Sequence, residues 1–139
     1  MTVDSDRPKF PKRAVVTAGM PYGNKELHLG HIGGVFVHAD TFARFLRDRI
    51  GKENVIFVSG TDCYGSPILE NYRQLVESGS FIGTIDDFVK HNHKLQKEVL
   101  DQYFININLF AASSFGPAAE NHKRYSEEFI RRLYENGHL

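Results

Sequence analysis

Residues 15–34, VVTAGMPYGNKELHLGHIGG, contain the strongest structural signals in this sequence. They begin with adjacent valines, which are typical of a buried strand, and Gly19 and Pro21 indicate that the strand ends in a turn. From Ile32 to Ile50 the apolar residues recur every three or four positions, as on one face of an amphipathic helix. The stretch therefore predicts a strand, a Gly-Pro turn and a helix in immediate succession.

A second strand is expected after this helix. Residues 55–58, VIFV, are consecutively apolar, as in a parallel strand that is covered on both faces. Strand, helix and strand make a βαβ unit, whose ligand binds beyond the carboxyl ends of its strands. We therefore predict an α/β fold, a Rossmann-like parallel sheet with flanking helices, and we expect Asp62 at the mouth of its site.

The next segment predicts two helices. A turn at residues 65–67 leads to a short helix at residues 68–76. Thr84 and Asp87 resemble a capping box that begins a long helix. Five residues of this helix keep the helical spacing and form its predicted inward-facing stripe: Phe88, Asn92, Leu95, Val99 and Tyr103.

The last segment predicts a brief strand within residues 104–110, a loop at residues 111–116 and a final helix that begins at Pro117. Asn136 and Gly137 resemble the C-cap of that helix. Several other side chains are expected to face solvent: Arg44, Arg47, Arg49, His91 and His93. Cys63 is expected to be a small packing residue.

Composition narrows the functional classes. A length of 139 residues, 41% of them hydrophobic, suits one globular domain with its own core. Lysine plus arginine equals aspartate plus glutamate at 17 each, so the chain as a whole lacks the basic footprint of a nucleic-acid-binding domain. The single cysteine excludes an internal disulfide and a multi-cysteine zinc site, and no apolar run approaches the roughly 18 residues of a membrane span. We expect a cytoplasmic protein that does not enter a membrane.

The sequence His28-Leu29-Gly30-His31 predicts a nucleotide site. Its two imidazoles project from one side of a first helical turn, where unpaired backbone N–H groups favour a phosphate. Gly30 lets a base or ribose approach the backbone. Simpler roles stay open: the histidines would only cap the helix, Asp62 would bond its own loop, and Tyr22 would fill the core.

The signature segments of the chain resemble those of class I aminoacyl-tRNA synthetases, and within them the methionyl-tRNA synthetases. Met20-Pro21-Tyr22-Gly23-Asn24 before the two histidines resembles the PYxN turn and the HIGH motif of that family. GTDCYG at residues 60–65 is similar to its GTDEHG segment, and residues 105–107 and 132–137 are similar to its FNI and RLxExG stretches. The sequence departs from the family pattern in three places. Cys63 and Tyr64 replace Glu-His, Lys25 stands where glycine is common, and residues 111–116 do not match the threonine-rich RTT loop of the family.

This resemblance implies ATP-dependent activation of methionine and its transfer to tRNA. It implies that His28 and His31 are catalytic. It assigns Asn24, His28, Gly30 and His31 to ATP, and it assigns the Met20 backbone, Tyr22 and Asp62 to the amino acid, with Asp62 taking the α-ammonium. Mg²⁺ would accompany ATP as a counter-ion, and no metal site is expected within the chain. The implied partners are methionine, ATP and tRNA.

The sequence has no KMSKS-like signature and no zinc knuckle. We therefore expect residues 1–12 to be a flexible N-terminal arm and residues 13–139 to be a partial Rossmann-like domain that binds ATP and an amino acid. This would be the N-terminal half of a catalytic domain, with little or no aminoacylation activity by itself. Two other functions stay open: a small nucleotidyltransferase that uses HxGH, and a synthetase-like binding module without activity.

Overall fold

A computed structural model describes residues 9–139, so residues 1–8 of the predicted arm lie outside the described part of the chain. Three strands form a parallel sheet in the order β1-β2-β3: β1 (Ala14–Thr17), β2 (Val55–Thr61) and β3 (Leu109–Ala112). Ala14 pairs with Val55 on one side of β2, and Val58 pairs with Leu109 on the other. The predicted α/β fold with a parallel sheet is confirmed.

Helices connect these strands. The crossover from β1 to β2 consists of α1 (Leu29–His31), a π-helical segment (Ile32–Phe36), α2 (Val37–Ile50) and a 3-10 turn (Lys52–Asn54). Between β2 and β3 lie α3 (Ser66–Glu77) and α4 (Ile85–Gln102), and α5 (Pro117–Glu135) follows β3. None of the helices in residues 9–139 has the length and apolar character needed to cross a membrane.

Two clusters of buried side chains make up the core. The larger one lies between the sheet and the crossover helix, and it consists of Val16, Leu27, Ile32, Phe36, Ala43, Leu46, Val55, Phe57, Leu100 and Ile105. The smaller one joins α3 and α4 to the carboxyl end of the sheet, and it consists of Cys63, Ile68, Phe88, Val89 and Ala112. The packing role predicted for Cys63 is confirmed, since its side chain is buried.

The predicted helix ends agree with the structure. Gly51 has a φ of 94° at the end of α2, where a residue with a Cβ atom would be strained. Thr84 and Asp87 form the reciprocal capping box before α4. Pro117 lies in the first turn of α5, and Asn136 with Gly137 ends that helix. The turn predicted at residues 65–67 is wrong in part, because α3 already begins at Ser66 with Pro67 in its first turn.

The third strand lies later than predicted, at residues 109–112 instead of within residues 104–110. Side chains replace strand pairing in the earlier segment: Asn108 Oδ1 accepts the Phe57 N–H at 2.7 Å, and Asp40 Oδ1 accepts the Asn106 N–H at 2.9 Å. Phe104 has a φ of 55°, which an extended strand does not allow. The predicted strand overlaps β3 only at residues 109–110, and residues 111–112 of the predicted loop belong to β3.

Arg44 and Arg47 were predicted to face solvent. Arg44 is exposed as predicted and Arg47 is half-buried, and both also hold the chain before β3. The Arg44 guanidinium donates to the Phe104 carbonyl at 2.7 Å and pairs with Asp40. Arg47 donates to the Asn106 carbonyl at 3.1 Å. These two residues therefore bind the segment after α4 to α2 across about 60 positions of sequence.

Candidate functional site

The site begins at the two histidines that cap α1. His28 is the N-cap residue, and its Nδ1 accepts the Gly30 N–H at 3.1 Å. In return, His31 Nδ1 accepts the His28 N–H at 3.3 Å, and the two ring centroids lie 3.9 Å apart. A neutral imidazole that accepts at Nδ1 carries its proton at Nε2. The capping role left open by the sequence is thus present, and it gives both rings an Nε2–H donor on the side opposite the capped backbone.

The surroundings of His31 disfavour its protonated form. Burial lowers the pKa of His31, and the neighbouring His28 and Lys25 lower it further. Gly30 is needed beside this pair because a Cβ atom there would lie 2.9 Å from Cε1 of His28. The predicted pairing of His28, Gly30 and His31 on one helical turn is therefore what the structure shows.

A second group of predicted residues meets at the carboxyl end of β2. Tyr22 and Asp62 form an isolated parallel bridge: the Asp62 N–H donates to Pro21 at 2.8 Å, and the Gly23 N–H donates to Asp62 at 2.7 Å. Asp62 Oδ1 accepts the Tyr64 N–H at 3.2 Å, so the loop bond left open by the sequence exists. The second carboxylate oxygen of Asp62 has no such partner within residues 9–139, and an ammonium can use it.

Tyr22 and Met20 both present side chains to solvent near this bridge. Tyr22 is 47% exposed, so it does not fill the core. Met20 borders a cleft of about 280 Å³ at the carboxyl ends of the strands. The other residues that line this cleft are Thr17, Ala18, Val58, Ser59, Leu109, Ala111, Ala112, Ser113, Ala118 and His122. Its lining is largely apolar, which suits an apolar side chain.

Asn24 lies on the chain between the two groups. Its Oδ1 is buried and has no hydrogen-bond partner in the described part of the chain. Buried amide oxygens normally have a partner, so this oxygen is an unsatisfied acceptor of the fold. In residues 9–139 no cluster of three or more His, Cys, Asp or Glu side chains could hold a metal ion.

A buried hydrogen-bond network that the sequence did not predict lies behind this loop. Thr61 Oγ1 donates to Gln96 Oε1 at 2.8 Å and lies 2.8 Å from His93 Nδ1. The prediction that His93 faces solvent was wrong: its ring stacks on Phe110 with centroids 5.2 Å apart, and burial lowers its pKa.

The predicted stripe of α4 was also displaced. Four residues with a spacing of four are buried on this helix: Phe88, Asn92, Gln96 and Leu100. Leu95 and Val99, which were assigned to the stripe, are only half-buried. The amides of Asn92 and Gln96 can be buried because both have hydrogen-bond partners. The signal in the sequence was these two amides one helical turn apart.

We expect folding stability to decrease under mildly acidic conditions. The pKa values of His31 and His93 are lowered in the folded chain, so the unfolded chain binds protons more readily below about pH 6.5. Stability is then fully present above about pH 6.5 and is lost as the pH falls through the lowered values. Thermal unfolding from pH 8 to 5 should show a falling Tm, and His93→Gln should reduce the fall. A Tm that is constant over this range would contradict the assignment.

Comparison with known proteins gives one consistent result. The sequence pattern of the family described as tRNA synthetases class I (M) matches residues 14–139. The methionine–tRNA ligase of Bacteroides fragilis is 33% identical over 126 residues, which are 91% of this chain and 17% of that protein. The methionine–tRNA ligase of Pyrococcus abyssi is 35% identical over 127 residues, 91% of this chain and 16% of that protein.

A third relative extends this match slightly. The methionine–tRNA ligase of Thermomicrobium roseum is 35% identical over 131 residues, which cover 94% of this chain and 20% of that protein. The chain thus spans at most about a fifth of the length of these relatives. The family match includes both histidines and the Tyr22–Asp62 bridge. The chain therefore belongs to the family described as tRNA synthetases class I (M).

Proposed function

We propose that residues 13–139 bind ATP and methionine for the formation of methionyl adenylate, and that the activated methionine is then transferred to tRNA. The observation that carries this proposal is the reciprocal cap of His28 and His31, which uses Nδ1 of each ring and leaves each Nε2–H without a hydrogen-bond partner in residues 9–139. Donors at such a place suit phosphoryl oxygens. A cytoplasmic location is part of the proposal, in keeping with the single unpaired Cys63.

The proposed reaction is an in-line displacement at phosphorus. A carboxylate oxygen of methionine attacks the α-phosphorus of ATP, the bond to the bridging oxygen breaks, and pyrophosphate leaves. His28 and His31 would donate hydrogen bonds to the phosphoryl oxygens, and these bonds would strengthen as negative charge develops there. Mg²⁺ would accompany the phosphates as a counter-ion. No covalent enzyme nucleophile is required.

The remaining residues would hold the two substrates in place. The free carboxylate oxygen of Asp62 would accept from the α-ammonium of methionine. Tyr22 and the backbone of Met20 would border the amino acid, next to the apolar cleft. Gly30 would let the nucleotide approach the first turn of α1, and Asn24 would turn its unpaired amide toward the nucleotide.

Calorimetry with a stable methionyl-adenylate analogue tests this function. In methionyl sulfamoyl adenosine, the sulfamoyl group stands in for the α-phosphate. We expect the chain to bind this compound more tightly than ATP or methionine alone, because one molecule engages both groups of residues. Binding of CTP with equal strength would favour a nucleotidyltransferase. Absence of binding to every nucleotide would favour an inactive binding module.

Two substitutions separate capping from ligand binding. His28→Asn and His31→Gln keep an acceptor for the capped N–H groups but remove the outward Nε2–H donor. Each should lower the affinity for the analogue by about threefold to tenfold, as expected for one lost hydrogen bond, and should leave Tm nearly unchanged. His28→Ala is the control that loses cap and donor together. If His28→Asn binds as wild type does, the imidazole has no role in the ligand site.

A further inference from the structure

The loop between the two groups of site residues is held in place by α4. Gln96 Nε2 donates to the carbonyl oxygens of Tyr22 at 2.8 Å and Lys25 at 2.9 Å. One turn earlier on the helix, Asn92 Nδ2 donates to the carbonyl of Gly23 at 3.2 Å. Two amide side chains of α4 therefore bind three of the four carbonyl groups in residues 22–25.

The side-chain amide of Gln96 is held in one orientation. Its side chain is completely buried, both of its N–H groups are used, and its Oε1 accepts from the buried Thr61 hydroxyl. Thr61 thereby prevents the Gln96 amide from turning over, since a reversed amide would direct its N–H groups at Thr61 and its oxygen at two carbonyls. Because the hydroxyl proton goes to Gln96, Thr61 accepts from His93 Nδ1.

The loop is also hydrogen-bonded on the side that faces the end of β2. The N–H of Gly23 and the carbonyl of Pro21 both bond to the backbone of Asp62. Gly23 also has no room for a Cβ atom, which would lie 2.9 Å from Val89 on α4. Residues 22–25 are therefore fixed between α4 and the end of β2.

We propose that Gln96 is a positioning residue of the site. By holding the carbonyl groups of Tyr22 and Lys25, it fixes the segment that carries Tyr22 at one end and leads to His28 at the other. The amino-acid-binding group and the ATP-binding group then keep one relative placement, which a ligand that spans both requires. The identity of that ligand rests on the proposed function, whereas the positioning of the loop does not.

The test is Gln96→Met, which keeps the length of the side chain and removes its donors. We expect faster hydrogen exchange at the Gly23 and Asp62 amides. Affinity for methionyl sulfamoyl adenosine should fall by about tenfold or more, while the affinities for ATP alone and methionine alone fall by less than about threefold. Such a difference would show that the amino-acid-binding group and the ATP-binding group have lost their relative placement, because general destabilisation of the fold affects all three ligands alike.

Leu100→Ala is the matched control on the same helix. Leu100 is completely buried one turn beyond Gln96, and its side chain has no group that could hydrogen-bond to the loop. This variant should lower Tm while the three affinities stay at their wild-type values at a temperature where it is folded. If Gln96→Met does not fold, Thr61→Val removes only the hydroxyl that orients the amide. For Thr61→Val, the affinity for the analogue should fall by about threefold while the affinities for ATP alone and methionine alone change less. Thr61→Ser keeps a hydroxyl and should bind the analogue as tightly as wild type does.

The outcomes separate this inference from the proposed function. If wild type binds no adenylate analogue, the proposed function fails, and the exchange rates of Gly23 and Asp62 still decide whether Gln96 fixes the loop. If wild type binds the analogue and Gln96→Met binds it equally well, with unchanged exchange at Gly23, the positioning role is overturned. An equal loss for all three ligands would also overturn it.

Discussion

Replacement of Gly60 by alanine should destabilise the fold by about 3 kcal/mol, at the upper end of the cost of overpacking. A Cβ atom at Gly60 would lie 2.2 Å from the carbonyl oxygen of Ala111, its partner in β3. That oxygen belongs to a paired backbone, so no side-chain rotation relieves the contact. Strands β2 and β3 must separate at their carboxyl ends, which is where the candidate site lies.

Chemical denaturation of Gly60→Ala and wild type measures this loss. Gly33→Ala is the matched control, because a Cβ atom there meets nothing within 4 Å and the residue lies in the helical crossover. The control should be as stable as wild type or slightly more stable, since alanine favours helix more than glycine does. A loss below about 1 kcal/mol for Gly60→Ala would show that the strands are not this tightly paired.

Asp62→Asn should weaken binding of methionyl sulfamoyl adenosine by about tenfold to a hundredfold, which corresponds to a hydrogen bond with a charged partner of about 1.5–3 kcal/mol. The asparagine Oδ1 can still accept the Tyr64 N–H, so the loop geometry is retained. The negative charge is lost, and the free carboxylate oxygen that is proposed to face the α-ammonium is replaced by an NH2 group. The substitution thus tests the proposed role of this carboxylate without removing its structural bond.

Calorimetry with a desamino form of the same analogue provides the control for this prediction. Without the amino group, wild type and Asp62→Asn should bind with equal affinity. If the asparagine variant loses as much affinity for the desamino compound as for the parent compound, Asp62 acts through the structure of its loop. In that case the ammonium assignment is wrong.

The elements that the sequence predicted well are those fixed by neighbouring residues. Adjacent valines, the helical spacing after Ile32 and the capping box of Thr84 and Asp87 are local signals, and all three agree with the structure. The placement of the two histidines on one helical turn is also a local feature, because their reciprocal cap needs only a spacing of three residues.

The elements that the sequence did not predict depend on contacts between distant residues. The position of β3 is decided by the side chains of Asp40 and Asn108, which bond to backbone groups that a strand would otherwise pair. His93 was predicted to face solvent, and Gln96 was not singled out, because the hydroxyl that hydrogen-bonds to both of them, that of Thr61, lies more than 30 positions earlier. No periodicity in α4 reveals such a partner.

A crystal structure of the chain with methionyl sulfamoyl adenosine would show whether the two groups of residues bind one ligand. We expect the sulfamoyl oxygens within about 3 Å of Nε2 of His28 and His31, and the α-ammonium within about 3 Å of the Asp62 carboxylate. An analogue bound elsewhere on the chain, or histidine rings whose Nε2 atoms face away from it, would contradict the claim that these residues form one adenylate site.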